Sequence, residues 1–278
     1  MANSHWLRLK MHKQLLVLLI ALNWAGFTWS LETPNLSANI DALFSDYDSA
    51  DVPGCAIGVI QAGAYLHARG YGSANLEHGI PIDHDSVFRI GSVSKQFTAT
   101  AVAVLADRGD LNLDSDVHEY LPDLMEYGAE VTVRQMIHHL SGMGDYEMTE
   151  VYEVSPGKAF RFGNEDYWTI EEFYQRVRKQ PLALAPMQRF EYSNIAYFLL
   201  SQVVERVSGL TLRAFAEKEL FGPLNMTATF FNDNVDGVVP HRADGYTPIT
   251  ADTFEILMTN LDWVGDGGVY TTLNDFIK

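Results

Sequence analysis

Phe88-Arg-Ile-Gly-Ser-Val-Ser-Lys-Gln-Phe-Thr-Ala-Thr-Ala-Val-Ala-Val-Leu-Ala-Asp-Arg-Gly109 is the stretch on which the fold turns. It reads as a short strand, a turn at Gly91 and a helix ending at Gly109. Val93, Phe97, Ala99, Ala101, Val102, Ala103, Val104 and Leu105 make that helix apolar on nearly every side. A helix of this kind is expected to be buried. Yet its first turn carries Ser92, Ser94 and Lys95. Ser92 and Lys95 are three apart and share a face on a helix. One reading is a nucleophile with its base. Backbone N–H groups at the helix start can stabilise a developing oxyanion, and desolvation can make an amine a usable base. The other reading is a capping serine beside a surface lysine. Ser155-Pro-Gly-Lys158 repeats the spacing, but Pro156 and Gly157 break a helix there, so its serine and lysine need not meet.

Upstream, Leu36, Ile40, Leu43, Phe44 and Tyr47 fall at helical spacing and predict an amphipathic helix over 36–50. Residues 54–61 and 65–71 predict two strands around a turn at Ala62-Gly63. Residues 72–86 read as a polar connection. Downstream, Leu111 to Asp116 reads as a loop before a short helix that stops at Pro122. Thr132-Val-Arg-Gln135, Thr169-Ile-Glu-Glu172 and Thr272-Leu-Asn-Asp275 each resemble a capping box. Helices are expected at about 133–139, at 170–180 up to Pro181, and from Asn194 to Val207 before Ser208-Gly209. Another opens at Thr211 and ends near Gly222-Pro223. From Ala228 the pattern turns strand-like. The order is strands, a helical block, then strands, so the two ends of the chain are expected to pair in one sheet. The expected layout is a sheet lobe over about 36–90 and 228–278 with a helical lobe over about 91–227 inserted, within a domain spanning 31–278.

The first 30 residues read as a secretory signal, with Arg8, Lys10 and Lys13 before the apolar run Leu15 to Leu22 and small residues at Thr28 and Ser30. An uncleaved anchor is the alternative, but Asn23 and Gly26 interrupt the run, which is short for a span of about 20 residues. Loss of residues 1–30 leaves 16 basic against 36 acidic residues, a net charge of −20. That balance argues against nucleic acid or an anionic membrane as partner. The expectation is export to the periplasm or the extracellular space, with no stable membrane span after cleavage. A single cysteine, Cys55, allows no internal disulfide; in its apolar run it reads as a small buried hydrophobe.

A second element is Phe190-Glu-Tyr-Ser-Asn-Ile-Ala-Tyr197, at a loop-to-helix corner. In an extended stretch Tyr192 and Asn194, two apart, point the same way. A phenol near a lysine can work as a general base. The alternative makes Ser193 or Asn194 an N-cap and Tyr192 a packing aromatic. His138 and His139 are adjacent, so on a helix they point about 100° apart and cannot chelate one metal; structural roles are expected for both. Asp83, Asp85, Asp114 and Asp116 lack the spacing of a calcium loop. There is no Gly-x-Ser-x-Gly elbow and no dinucleotide fingerprint.

Five blocks together resemble the serine β-lactamase and penicillin-binding protein superfamily, in its class C-like branch. They are Arg89 to Lys95, His138 to Tyr146, Tyr192-Ser-Asn194, Leu220 to Met226, and Gly265-Asp-Gly-Gly-Val-Tyr-Thr-Thr272. The resemblance covers about residues 36–278. It implies an α+β fold, an antiparallel sheet lobe with an inserted helical lobe and the site between them. It implies Ser92 as the acylated nucleophile and Lys95 as its activating partner. Tyr192 would shuttle protons, and Asn194 would contact the substrate amide. The expected substrate is a small-molecule or peptidoglycan-like amide, ester or lactam, with no metal or organic cofactor. β-Lactamase, D,D-peptidase and esterase activities stay open, as does the oligomeric state. The family's third motif, Lys or His, a small residue and Gly, does not occur after Tyr192, and the sequence stops at Lys278. The expectation is a truncated member lacking C-terminal strands and one oxyanion donor, a loss of roughly 10²–10³ in rate. The alternative is a non-catalytic member acting as a binding or scaffold protein, or a gene relic.

Overall fold

The computed structural model describes residues 36–145, 169–259 and 261–278. The secretory signal expected over residues 1–30, Tyr146 and the Ser155–Lys158 repeat lie outside the described residues. Two units divide the chain, one ending at Leu43 and the other spanning Phe44–Lys278. The first is represented by helix α1, Leu36–Leu43, in which Ile40 is buried. All that follows concerns the second.

The single helix expected over 36–50 does not form: the α-helix ends at Leu43, and this unit opens with a separate 3₁₀ turn, Ser45–Tyr47. Strands β1 (Cys55–Gln61) and β2 (Ala64–Tyr71) then form the expected hairpin. Its turn is tight because Ala62 and Gly63 both adopt positive φ, 51° and 77°, as a two-residue turn between twisted strands demands. β1 has no fully buried residue. Cys55 is accordingly half-buried rather than buried, and what burial it has pushes its thiol pKa up. The polar connection holds a small ribbon that sequence reading missed, β3 (Ser73–Asn75) with β4 (Ile80–Pro81). At two or three residues per strand it carries no readable alternation.

Strand β5 (Phe88–Arg89) opens the decisive stretch. The 3₁₀ turn Gly91–Ser94 and helix α2 (Lys95–Asp107) follow it. Far along the chain lie β6 (Phe230–Phe231) and β9 (Val269–Thr271), separated by a hairpin of β7 (Tyr246–Thr250) and β8 (Thr253–Ile256). β9 is the centre of an antiparallel sheet ordered β5-β9-β6, with Arg89 and Phe230 both opposite Tyr270. β5 thus pairs with a strand from the far end of this unit, but the strands nearer its start do not join that sheet. The β1–β2 hairpin stays separate from it among the described residues.

The helical block contains α3 (Val133–Ile137), α4 (Ile170–Val177), α5 (Asn194–Ser208) and α6 (Leu212–Ala216). α6 runs into a single π turn, Glu217–Phe221. Thr132 with Gln135 and Thr169 with Glu172 form complete capping boxes. The third expected box is only half made. Thr272 caps α7 (Leu273–Phe276), but the Asp275 carboxylate turns away to accept from the Ala228 N–H at 2.7 Å and the Thr229 hydroxyl at 2.9 Å.

The helix buried on all sides is α5, not α2. Every residue from Ile195 to Ser201 is buried, and Val203 and Val204 follow. α2 buries one stripe, Lys95, Thr98, Ala101, Val102 and Leu105, and exposes Gln96, Thr100, Ala103 and Asp107. Much of its apolar content is alanine, which offers little area to bury. α5 presents Ile, Tyr, Phe and Leu, each worth about 1.5–3 kcal/mol when fully buried. Ser193 caps α5 through the Ala196 N–H, and Gly209 ends it in the left-handed conformation. Phe173 of α4 fills the core between Phe198 and the face of Trp263, whose ring lies 3.9 Å away and nearly parallel.

Candidate active site

Lys95 is the first residue of α2, and Ser92 sits in the 3₁₀ turn before it. Residues three apart eclipse in such a turn, and Gly91 supplies the positive φ, 52°, that starts it. The lysine ammonium reaches the Ser92 hydroxyl oxygen at 3.3 Å. Ser92 is exposed and Lys95 is buried. The capping-serine and surface-lysine alternative therefore fails for the lysine.

Three neutral acceptors surround the Lys95 Nζ. Besides Ser92 Oγ they are Asn194 Oδ1 at 2.6 Å and the Asp266 backbone carbonyl at 2.5 Å. Two aromatic faces complete the cage, with Nζ 4.8 Å from the centre of the Tyr192 ring and 5.6 Å from that of Tyr197. Both lie within cation–π range. No carboxylate forms an ion pair with Lys95 among the described residues.

The walls of the cage come from three places. Residues 265–268 bring successive carbonyls to α2: Gly265 accepts from the Thr98 hydroxyl at 2.7 Å, and Asp266 accepts from Lys95. Gly265 lies so close to α5 that a Cβ there would stand 2.5 Å from the Tyr197 carbonyl oxygen. β9 fixes the turn itself, since Ile90 N–H donates to the Val269 carbonyl at 3.0 Å and Val269 N–H to the Ser94 hydroxyl at 3.0 Å. The corner before α5 supplies Tyr192 and Asn194. Both adjoin Lys95, Tyr192 with its ring face and Asn194 with its side-chain oxygen. Ser193 is the N-cap that the alternative reading allowed, so capping and site-building occur side by side.

Two further contributors, Asp145 and His139, have no site role in the sequence reading. Asp145 accepts from Asn194 Nδ2 with both oxygens, at 3.1 and 2.9 Å. That contact orients the amide so that its oxygen faces Lys95. His139 stacks on Tyr192 with 4.5 Å between ring centres, and it also meets Tyr197 and Phe190. Its Nδ1 accepts the Ser193 N–H at 3.1 Å. Burial pushes the His139 pKa down, and the Lys95 charge pushes it further. Burial raises the pKa of Tyr197, whose hydroxyl donates to the Ile137 carbonyl at 2.9 Å. His139 has positive φ, 58°, directly after His138, but nothing in the sequence marks that conformation.

Among the described residues no helix is long and apolar enough to cross a membrane. Human LACTB, a mitochondrial serine beta-lactamase-like protein, is 26% identical over 90% of this chain and 58% of its own length. Esterase EstB of Burkholderia gladioli is 34% identical over 71% of this chain and 52% of its own. The chain thus spans about half the length of the curated relatives it matches. Among solved structures, the octameric penicillin-binding protein homologue from Pyrococcus abyssi superposes with a TM-score of 0.73 at 25% identity, over 87% of this chain and 55% of that one. The fold is the mixed α+β, β-lactamase and transpeptidase type. The family model described as Beta-lactamase matches residues 40–278, and with it the Ser92–Lys95 turn, the Tyr192–Asn194 corner and residues 265–268: this chain belongs to the beta-lactamase family.

Proposed function

We propose that this chain is an exported serine hydrolase that cleaves an amide, ester or lactam carbonyl through an acyl-enzyme on Ser92. One observation carries the reading: a buried lysine, held by neutral acceptors instead of a carboxylate, touches an exposed serine hydroxyl. A buried ammonium without a counter-ion is costly in a purely structural role. Next to a hydroxyl it has a use, because it stabilises the alkoxide that forms during attack.

The roles follow the family pattern, carried over residue by residue. Ser92 Oγ attacks the carbonyl carbon while its proton passes to Tyr192, the general base. The Oγ–C bond forms, the bond to the leaving amine or alcohol breaks, and Tyr192 returns the proton to that leaving group. Water then attacks the acyl carbon, gives its proton to Tyr192, and Ser92 recovers a proton as its bond to the acyl group breaks. Lys95, as the ammonium, donates to Ser92 Oγ throughout. Asn194 holds Lys95 through its oxygen and offers the edge of its amide to the substrate. A positioned base contributes about 10²–10⁴ in rate.

An ester, a D-amino-acid amide or a peptidoglycan-like peptide each presents such a carbonyl; the likeness to an esterase makes a small activated ester the first substrate to try. Export is supported by the basic residues and apolar run of residues 8–22. The deciding experiment is intact-mass analysis of the purified full chain after a fluorophosphonate, which forms a Ser92 Oγ–P bond and loses fluoride. A single adduct is expected on the wild type and none on S92A. A folded wild-type protein that forms no adduct would overturn the reading in favour of a binding or scaffold role.

A further inference from the structure

His139 brackets Tyr192 from both sides. Its backbone carbonyl accepts the Glu191 N–H at 2.9 Å, and its ring Nδ1 accepts the Ser193 N–H at 3.1 Å. Its imidazole plane lies on the Tyr192 ring itself, 4.5 Å between centres and 29° apart. One residue thus grips the backbone before Tyr192, its ring, and the backbone after it. Asn194, next in the chain, reaches Lys95, and Lys95 lies over the same Tyr192 ring. We infer that neutral His139 is the positioning residue of the Tyr192–Ser193–Asn194 corner, and that a proton gained at its Nδ1 releases that corner from Lys95.

The chemistry of the contact requires it. Nδ1 accepts only while it has a free lone pair. A proton there sets N–H against N–H, so the Ser193 bond breaks and the grip loses its far side. The groups around the ring act in both directions. From α2 Lys95 disfavours a second positive charge, as does His138 within the same segment; Asp145 favours it. Tyr192 and Tyr197 pack on the ring from the corner and from α5. Burial, the largest effect, also opposes the proton, so the ring stays neutral to a pH below the ordinary imidazole value of about 6.5. Release belongs on the acid side.

The consequence for acylation rests on the hydrolase reading, but the grip itself can be read without it. The variant is H139N. Asparagine tolerates positive φ, and its side-chain oxygen can take the Ser193 N–H without titrating. The first arm follows the Ser193 amide by ¹⁵N–¹H NMR of the full chain from about pH 8 to pH 4.5. In the wild type this resonance should move through one titration step together with the His139 ring protons, and in H139N the step should vanish. The second arm is the rate of fluorophosphonate labelling. It should drop about tenfold over the same step in the wild type, as expected for a slightly misplaced group, and remain flat there in H139N. A Ser193 amide that ignores the His139 titration overturns the inference. So does an H139N labelling profile that superimposes on the wild type. If the wild type labels at no pH, the hydrolase reading falls, and the Ser193 titration alone upholds or overturns the grip.

Discussion

Two of the polar clusters in this unit are closed in opposite ways. In one, Asp116 accepts from the His118 N–H at 2.8 Å, the Val131 N–H at 3.0 Å and the His118 ring Nδ1 at 2.5 Å. The other ring nitrogen of His118 meets the Met125 carbonyl at 3.1 Å. Both ring nitrogens face acceptors, which suits an imidazolium against a carboxylate. Burial pulls the His118 pKa down, but the Asp116 and Met125 hydrogen bonds together raise it. Burial likewise opposes the Asp116 carboxylate, and the His118 and Val131 hydrogen bonds lower its pKa regardless. In the other cluster, Lys95 meets only neutral oxygens and ring faces, and its nearest hydroxyl belongs to an exposed serine. A joint that only holds loops together pairs opposite charges. The Lys95 cluster leaves its charge without a carboxylate and points it at an exposed hydroxyl.

The sharpest way to break that contrast is K95M, which keeps most of the volume and removes the ammonium. Labelling of Ser92 should fall by about 10²–10³ while far-ultraviolet circular dichroism stays native. A K95M protein that labels at the wild-type rate would make the lysine as structural as His118. D116N should do the reverse. It weakens charge-assisted hydrogen bonds to two backbone amides and a ring, at a cost of about 1.5–3 kcal/mol. The urea midpoint should fall, with labelling per folded molecule unchanged; a lost labelling rate in folded D116N would tie the two clusters together.

The smallest effect sharpens the comparison through pH. His118, raised in the folded state, contributes stability that is fully present below its unfolded value of about 6.5. That contribution is lost as pH rises through its folded pKa. His139, lowered in the folded state, contributes above about 6.5 and loses that contribution as pH falls through its folded pKa. Urea midpoints of H118N and H139N, compared with wild type from about pH 5 to pH 8, should therefore change on opposite sides of about pH 6.5. Parallel curves for the two variants would remove the distinction.

What was legible in the sequence was local. The Ser92–Lys95 contact is three residues long, the Tyr192–Asn194 corner two, and the caps at Thr132 and Thr169 three, so each is written within one turn of chain. The Asp266 carbonyl carries no side-chain signature, and the contacts of Asp145 and His139 with the corner span 49 and 54 residues. No spacing rule reaches that far. The burial of α2 was misread because alanine counts as apolar in a pattern but contributes little surface. The capping motif at Thr272 was read correctly on the threonine side and missed on the aspartate side. Asp275 had a better offer from Ala228 and Thr229, 47 and 46 residues away.

The Asp266 carbonyl has one more consequence, which concerns time. Lys95 and Asp266 are 171 residues apart, and the strand that fixes the Ser92 turn, β9, is equally remote. As the chain leaves the ribosome, Ser92 and Lys95 emerge long before the wall that confines the lysine. Closing so long a loop is slow compared with forming α2. The hydroxyl therefore meets a confined ammonium only after the far end of the unit has docked. Until then it is an ordinary serine, without the neighbour it has in the folded unit.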